Sequence, residues 1–159
     1  MSNIKNKMRK LAFIFLVIIT ATSCKVKSNL PFNNNNFNGA KANLAGYSAI
    51  YQLDTNDPKI INKAIRNINN ALNDPRLVGK LNIELVAFSG GTEAMLKGSD
   101  YETQLRDLAK KGVILAQCHN SLVEKGLKES SVYDFVSIVP SGNGELIIRA
   151  SQGWVIIKP

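Results

Sequence analysis

The sequence is poor in the residue types that build disulfide frameworks and metal centres. Its 159 residues include two cysteines and a single histidine. Cys24 and Cys118 are too few and too far apart for a disulfide framework or a zinc site. With one histidine, no Ser-His-Asp arrangement can be recognised, and neither paired carboxylates nor metal-ligand spacing is present. The sequence therefore predicts no bound metal and no cofactor.

Acidic residues are absent from the first 43 positions. Seven of the 20 basic residues lie there, so this segment carries most of the formal net charge of +8. From Leu44 onward, 13 basic residues stand against 12 acidic ones. A nearly neutral domain offers no broad basic surface to a polyanion. We therefore expect no nucleic-acid partner.

Long apolar runs are also missing. The N-terminal run Leu11–Ile19 follows a basic start and precedes small residues, which is typical of a secretory signal rather than a membrane span. The residues up to Cys24 resemble a bacterial lipobox, with Ala21 where the commonest form has leucine. We predict a lipoprotein signal peptide over 1–23 and lipidation of Cys24, which would anchor the protein in the bacterial cell envelope, facing the periplasm. An ordinary signal peptide cleaved near Ser23 would leave Cys24 as a free thiol.

The segment 24–45 is rich in asparagine, including Asn33–Asn36, and has few apolar side chains. Such a segment cannot bury enough surface to offset the entropy lost on ordering it. We interpret it as a tether that follows the lipidated cysteine. The folded domain is predicted over 46–159.

Apolar runs and helical repeats alternate along the domain. Strands are predicted over Tyr47–Leu53, Asn82–Phe88, the run from Gly112 to Cys118, Val136–Val139 and Trp154–Ile157. Helices are predicted from Pro58 to Asn73, over Asp100–Lys111, His119–Lys125 and Glu145–Gln152, with a helical turn near Thr92–Leu96. The alternation predicts one three-layer α/β domain with a five-stranded, mostly parallel sheet and helices on both faces.

The strand that ends at Cys118 holds the strongest candidate for chemistry. The carboxyl edge of a parallel sheet is where ligands collect, and a helix beginning beside the cysteine would favour its thiolate. The alternative is a small buried cysteine that only packs. His119 is a candidate assistant to the thiol, or a helix-start residue with its ring in solvent.

Other polar residues and glycines follow predicted strands and are expected at the same sheet edge. The pocket candidates are Asp54, Ser89, Gly90, Asn120 and Ser141, although turn and capping chemistry alone would also explain them. The glycines after the second strand do not have the spacing of a dinucleotide or Walker loop. This weakens a flavin- or nucleotide-binding interpretation.

From Ser48 to Pro159 the sequence resembles the DsrE/DsrF-like family, a flavodoxin-like group linked to sulfur transfer. The resemblance rests on Asn67-Ile68-x-Asn70, Gly112-Val113, Cys118-x-Asn120-Ser121-Leu122, Val139-Pro140-Ser141-Gly142 before Glu145, and Gly153-Trp154 with the final Pro159. It implies a persulfide on Cys118 and homo- or hetero-oligomers. Many relatives with this layout carry His-Gly where this sequence has Phe88-Ser89, so a histidine at that position is missing here.

Two functional hypotheses follow from the residues and the resemblance together. In the first, an envelope-located sulfur carrier relays sulfur between a donor and an acceptor protein through Cys118, as a carrier rather than a turnover enzyme, and forms a homo-oligomer. In the second, the same fold is a non-catalytic module that binds a small ligand or a protein, and Cys118 is structural.

Overall fold

The computed structural model describes residues 34–159, so the predicted signal peptide, Cys24 and the first part of the tether lie outside it. Ala40–Pro159 form one compact unit, and the preceding described residues contain a single 3-10 turn at Asn34–Asn36. None of the helices between positions 34 and 159 combines the length and the apolar character needed to cross a membrane.

The centre of the compact unit is a sheet of five parallel strands, as predicted. The strands are β1 (Tyr47–Leu53), β2 (Leu81–Ala87), β3 (Ile114–Cys118), β4 (Ser137–Val139) and β5 (Val155–Ile157). Their order is β4-β3-β2-β1-β5. The first four strands are added in one direction, and the chain then crosses back to place β5 beside β1.

Four α-helices and a longer 3-10 segment connect the strands. They are α1 (Pro58–Leu72), the 3-10 helix Ser89–Met95, α2 (Glu102–Lys110), α3 (His119–Glu124) and α4 (Gly142–Ser151). Local signals explain where α1 begins, because the Asp57 carboxylate caps the Lys59 N–H at 2.8 Å and proline occupies the first helical turn. Gly112, with φ of 87°, follows α2 and turns the chain into β3.

The helices divide unequally between the two faces of the sheet. The larger core cluster combines residues of α1, α2 and α3 with one face, for example Ile68, Leu108 and Leu122. The smaller cluster places Leu146 of α4 against Ile50, Val86 and Ala116 on the other face. The first three connections advance across the sheet in one direction, and right-handed crossovers place their helices on one face. The β4-to-β5 connection runs back across the sheet, so the same handedness places α4 on the other face.

The predicted start of the last helix was wrong by three residues. We expected it to begin at Glu145, but α4 begins at Gly142 because the Ser141 hydroxyl accepts the Gly144 N–H at 3.2 Å and caps it there. The two glycines of this first turn concealed it in the sequence, since glycine is a poor helix former. The earlier start brings the Gly142 N–H to the end of β3.

Candidate functional site

Cys118 lies where β3 ends and α3 begins. It is the last residue of the strand and the N-cap of the helix, and it is 5% exposed. Because Ala116 belongs to the cluster beneath α4, the Cys118 side chain two residues later points to that same face. On the opposite face the buried Gln117 amide donates to the Cys118 carbonyl at 2.9 Å and to the Thr92 hydroxyl at 3.0 Å. These bonds fix the end of the strand that carries the thiol.

Hydrogen-bond donors from two helix starts surround the sulfur. Burial raises the pKa of the Cys118 thiol, but the Ser121 hydroxyl and the N–H groups of Gly142, Ser121 and Asn120 outweigh that effect and hold the pKa below its ordinary value. A thiol is a weak acceptor, and the side chain makes no capping hydrogen bond in α3. A thiolate at the same position would be stabilised by all of these donors, so the site favours the nucleophilic form.

Ser121 is held in place by a second serine. The Ser89 N–H donates to Ser121 Oγ at 2.9 Å, which leaves the Ser121 hydroxyl proton available for Cys118. Ser89 has a φ of 50°, the one positive value among the described residues other than glycine. This left-handed conformation costs about 1 kcal/mol, and it occurs at the residue whose N–H bonds to Ser121.

We expect Ser121→Ala to raise the pKa of Cys118. The substitution removes the largest hydrogen bond that lowers this pKa and leaves the Ser89 N–H without its acceptor. A rise of one unit would reduce the thiolate fraction near neutral pH by up to about tenfold. The measurement is the pH profile of alkylation by iodoacetamide. Ser137→Ala on the exposed β4 edge is the control, and an identical profile for Ser121→Ala and wild type would contradict this account.

Gly142 permits the close approach of α4 to the end of β2. A Cβ on Gly142 would lie 2.6 Å from Cδ1 of the Phe88 ring, well inside van der Waals contact. Only glycine at this position allows the ring and the helix start to coexist. The position of the Gly142 N–H beside Cys118 therefore depends on the absence of a side chain at residue 142.

We expect Gly142→Ala to displace the first turn of α4 or the Phe88 ring. Either movement takes the Gly142 N–H away from the sulfur and raises the pKa of Cys118. Gly144→Ala is the matched control in the same turn, because its Cβ meets only the Ser141 side chain, at 3.3 Å. The pH profile of alkylation should shift upward for Gly142→Ala alone. Equal profiles for the two variants would show that the close approach of Gly142 to Phe88 does not affect the pKa of Cys118.

A cavity of 310 Å³ opens beside the thiol. Its lining consists of Phe88, Ser89, Cys118, Asn120, Ser121, Glu124, Ser141, Gly142 and Asn143. The structure thus brings three of the pocket candidates, Ser89, Asn120 and Ser141, together with Cys118. Between positions 34 and 159 no three His, Cys, Asp or Glu side chains are grouped to hold a metal ion.

Two pocket candidates lie elsewhere at the sheet edge. Asp54 accepts hydrogen bonds from Lys158 at 2.9 Å and Gln52 at 3.0 Å, and the Lys158 ammonium leads in holding the Asp54 pKa below its usual range. Gly90 packs against the loop after β1, where a Cβ would lie 2.9 Å from the Asn56 nitrogen. Neither residue lines the cavity beside Cys118.

The candidate assistant His119 is engaged with another partner. Its Nδ1 lies 2.9 Å from Glu129 Oε1, and both side chains are exposed. The groups that hold down the pKa of Cys118 are serine, asparagine and glycine donors instead. The thiol therefore has a source of activation that does not require the imidazole.

Sequence reasoning missed four residues of the cavity, namely Phe88, Glu124, Gly142 and Asn143. Glu124 could have been found, because it falls one helical turn after Asn120 in a helix predicted to begin beside the cysteine. Gly142 and Asn143 could not, since their position depends on how the β4-to-β5 crossover folds back over the sheet. Ser121 was interpreted as a capping or loop residue, and its effect on the pKa of Cys118 gave no separate sequence signal.

Three solved structures of other proteins share the fold of this chain. MTH1491 from Methanobacterium thermoautotrophicum, a protein of unknown function, is 28% identical with a TM-score of 0.68 over 71% of this chain and 99% of its own. BT1422 from Bacteroides thetaiotaomicron, also of unknown function, is 14% identical, with a TM-score of 0.56 over 70% and 94%. The E. coli ychN protein is 15% identical, with a TM-score of 0.57 over 73% and 100%.

No functionally characterised curated protein matches the sequence. The model of the DsrE/DsrF-like family matches residues 38–159, which is most of the chain and all of the sheet. This agrees with the motifs that suggested the same family from Ser48 onward. The chain belongs to the DsrE/DsrF-like family.

Proposed function

We propose that this protein is a sulfur carrier that holds sulfane sulfur as a persulfide on Cys118. The family has a fold related to sulfur relay. The observation that carries the proposal is the set of donors from the starts of α3 and α4 that lowers the pKa of this thiol. A carrier needs such a thiolate in order to attack a sulfur donor, and it needs space beside it for the sulfur. The cavity beside Cys118 supplies that space.

The transfer is an exchange between thiolates with no net oxidation. The Cys118 thiolate attacks the outer sulfur of a donor R–S–SH, a new bond forms between Sγ and that sulfur, and the donor S–S bond breaks. The donor leaves as R–S⁻, and the proton stays with the transferred sulfur. A second thiolate on an acceptor reverses the sequence. The protein then returns to its starting state without a cofactor.

The sulfur-loading experiment uses the full chain with Cys24→Ser, so that Cys118 is the single thiol. After exposure to cysteine hydropersulfide, the intact mass should increase by one sulfur atom and return to its starting value on reduction. Cys118→Ser in the same background should show no gain. A protein that gains no sulfur while folded, but whose thiol is labelled readily once unfolded, would contradict the proposal.

The burial of Cys118 favours the second hypothesis, a binding module in which this cysteine is structural. At 5% exposure the side chain resembles an ordinary packed cysteine. Under that hypothesis the folded thiol is inert and Cys118→Ala retains binding of the partner or ligand. The loading experiment separates the two hypotheses because only the carrier gains sulfur in its folded form.

We further propose that the carrier acts in the cell envelope, attached to a membrane through a lipidated Cys24. The basic start, the short apolar run and the small residues before Cys24 support this location. In a bacterial host, the wild-type protein should fractionate with membranes and incorporate labelled fatty acid at the mature N-terminus. Cys24→Ala should abolish both. Unchanged membrane association of Cys24→Ala would contradict the anchor.

The resemblance to the family supports a homo-oligomer and a partner protein that donates or accepts sulfur. A carrier must meet both a donor and an acceptor, and the sulfur must leave the pocket between these encounters. We expect sedimentation equilibrium of the full chain in detergent to give a multiple of the protomer mass. A single protomer at all concentrations would contradict the oligomer.

A further inference from the structure

Apart from the thiol, the cavity beside Cys118 has one charged type of side chain, and it is acidic. Of its nine lining residues only Glu124 is a carboxylic acid, and none is Lys, Arg or His. The basic side chains nearest along the chain contact other carboxylates, since Lys125 pairs with Glu93 at 3.7 Å and the His119 ring lies 2.9 Å from Glu129. Glu124 has no ion pair within the described part of the chain. Among those residues, the Glu124 carboxylate therefore has no basic side chain paired with it.

Helix geometry places that charge on the side of the thiol. Asn120 and Glu124 are four residues apart on α3 and share the face that lines the cavity. Ser121, whose hydroxyl helps to lower the pKa of Cys118, precedes Glu124 by three residues on the same helix. Glu124 is exposed at the solvent end of this face, whereas Cys118 is buried at the other end. The Glu124 carboxylate and the Cys118 thiol thus line the same cavity.

From this charge distribution we infer that Glu124 determines which sulfur donors reach Cys118. The site accepts sulfur from neutral or singly charged persulfides and disfavours dianionic donors such as thiosulfate. A dianion entering the cavity meets the Glu124 carboxylate and the thiolate together, and the lining offers no cation to bind it. The inference rests on the proposed carrier function, because it specifies the donor class of that same thiol.

The polar groups of the cavity fit this donor class. The N–H and hydroxyl donors around Cys118 are directed at its own sulfur and stabilise one negative charge there. The remaining polar lining consists of uncharged asparagine and serine side chains. Such groups can accommodate the thiolate leaving group of a persulfide exchange, but they do not neutralise the two charges of a sulfur oxyanion.

Two disulfide probes of different charge test the inference without requiring sulfur loading. Both 5,5′-dithiobis(2-nitrobenzoate), a dianion, and 4,4′-dithiodipyridine, which is neutral, form a mixed disulfide with a cysteine thiolate as their own S–S bond breaks. The other half leaves as a thiolate, which for 4,4′-dithiodipyridine takes up a proton and becomes neutral 4-thiopyridone. We compare their second-order rate constants on the full chain with Cys24→Ser at low ionic strength. The ratio of the dianionic to the neutral rate isolates charge selection, since any change in the pKa of Cys118 affects both rates together.

Glu124→Gln should raise this ratio about three- to fivefold, and added salt should reduce the difference between the variant and wild type. Asp134→Asn is the matched control because it removes one exposed carboxylate outside the cavity, and its ratio should equal that of wild type. Sulfur loading from thiosulfate, relative to cysteine hydropersulfide, should rise in Glu124→Gln to a similar extent.

The outcomes distinguish this inference from the proposed function. An unchanged probe ratio in Glu124→Gln would overturn the role of Glu124, even if the protein loads sulfur through Cys118. If Glu124→Gln raises the ratio but the protein never gains sulfur, charge selection by Glu124 is supported and the carrier function is contradicted. An equal rise in Asp134→Asn would assign the effect to overall charge and would also overturn the inference.

Discussion

Arg149→Met should lower the free energy of unfolding by about 3 kcal/mol at pH 7, because it leaves a buried carboxylate without its counterion. Glu84 is 1% exposed on β2, and Arg149 of α4 donates through Nε to Glu84 Oε2 at 2.7 Å. Arg149 also forms an ion pair with Glu145, whose Oε1 lies 2.9 Å from the same nitrogen. Methionine keeps an unbranched apolar chain as far as the position of Nε but cannot donate a hydrogen bond. Urea denaturation measures the effect directly.

The decrease in the free energy of unfolding caused by Arg149→Met should depend on pH, in a direction set by Glu84. Burial raises the pKa of Glu84, and Arg149 partly opposes that rise. A carboxyl whose folded pKa lies above its unfolded value stabilises the fold at acidic pH, and that contribution is lost as pH rises through the folded pKa. Without Arg149 the folded pKa rises further. The difference between wild type and Arg149→Met should therefore be small at acidic pH and should increase as pH rises towards 7.

Arg106→Met is a closely matched control. Like Arg149, Arg106 pairs with a glutamate four residues earlier on its helix, in this case Glu102. Its guanidinium lies 4.3 Å from the centroid of the Phe135 ring, the same distance as that of Arg149 from the Trp154 ring. Its carboxylate partners are solvent-exposed, so its loss should have a much smaller effect with little pH dependence. Equal losses for the two variants would show that the buried Glu84 is not the cause.

Gly91→Ala should destabilise the protein at least as much as Arg149→Met. We expect it to lower the free energy of unfolding by about 3 kcal/mol or to prevent folding. A Cβ on Gly91 would overlap the carbonyl oxygen of Leu53 at the end of β1. That carbonyl accepts the Phe88 N–H at 3.0 Å, and the Gly91 N–H in turn donates to the Phe88 carbonyl at 2.9 Å. The obstacle is backbone rather than a flexible side chain, so the ends of β1 and β2 must separate.

Gly46→Ala serves as the comparison for this substitution. Its Cβ would meet only the Lys80 carbonyl oxygen, at an ordinary 3.7 Å, and its backbone is not left-handed. We expect its thermal midpoint to stay close to that of wild type. If Gly91→Ala melted at the same temperature as Gly46→Ala, the close approach between Gly91 and Leu53 would not constrain the fold.

The sequence was sufficient to predict the layers and the parallel sheet, because the signals for them are local. Asp57-Pro58 marks the start of α1, and an apolar run after Gly112 marks β3. The family resemblance was also confirmed. These features depend on capping, turn chemistry and periodicity over a few residues, which a single sequence records directly.

The surroundings of the thiol depend on contacts between distant segments and could not be predicted in this way. Gly142 reaches Cys118 only because the last crossover reverses direction and α4 starts three residues earlier than its pattern indicates. Ser89 reaches Ser121 across 32 positions through a left-handed backbone that serine rarely adopts. Glu84 was assigned to a strand, but its burial opposite Arg149 depends on which face α4 covers.

The most direct test of the central claim is the pKa of Cys118 in the folded protein. We would measure it from the pH dependence of alkylation in the full chain carrying Cys24→Ser, with unfolded protein as the reference. The donors around the sulfur predict a value below the ordinary thiol value of about 8.5 and substantial reaction near neutral pH. A thiol that reacts only after unfolding, or whose pKa equals or exceeds that of the unfolded chain, would contradict the account.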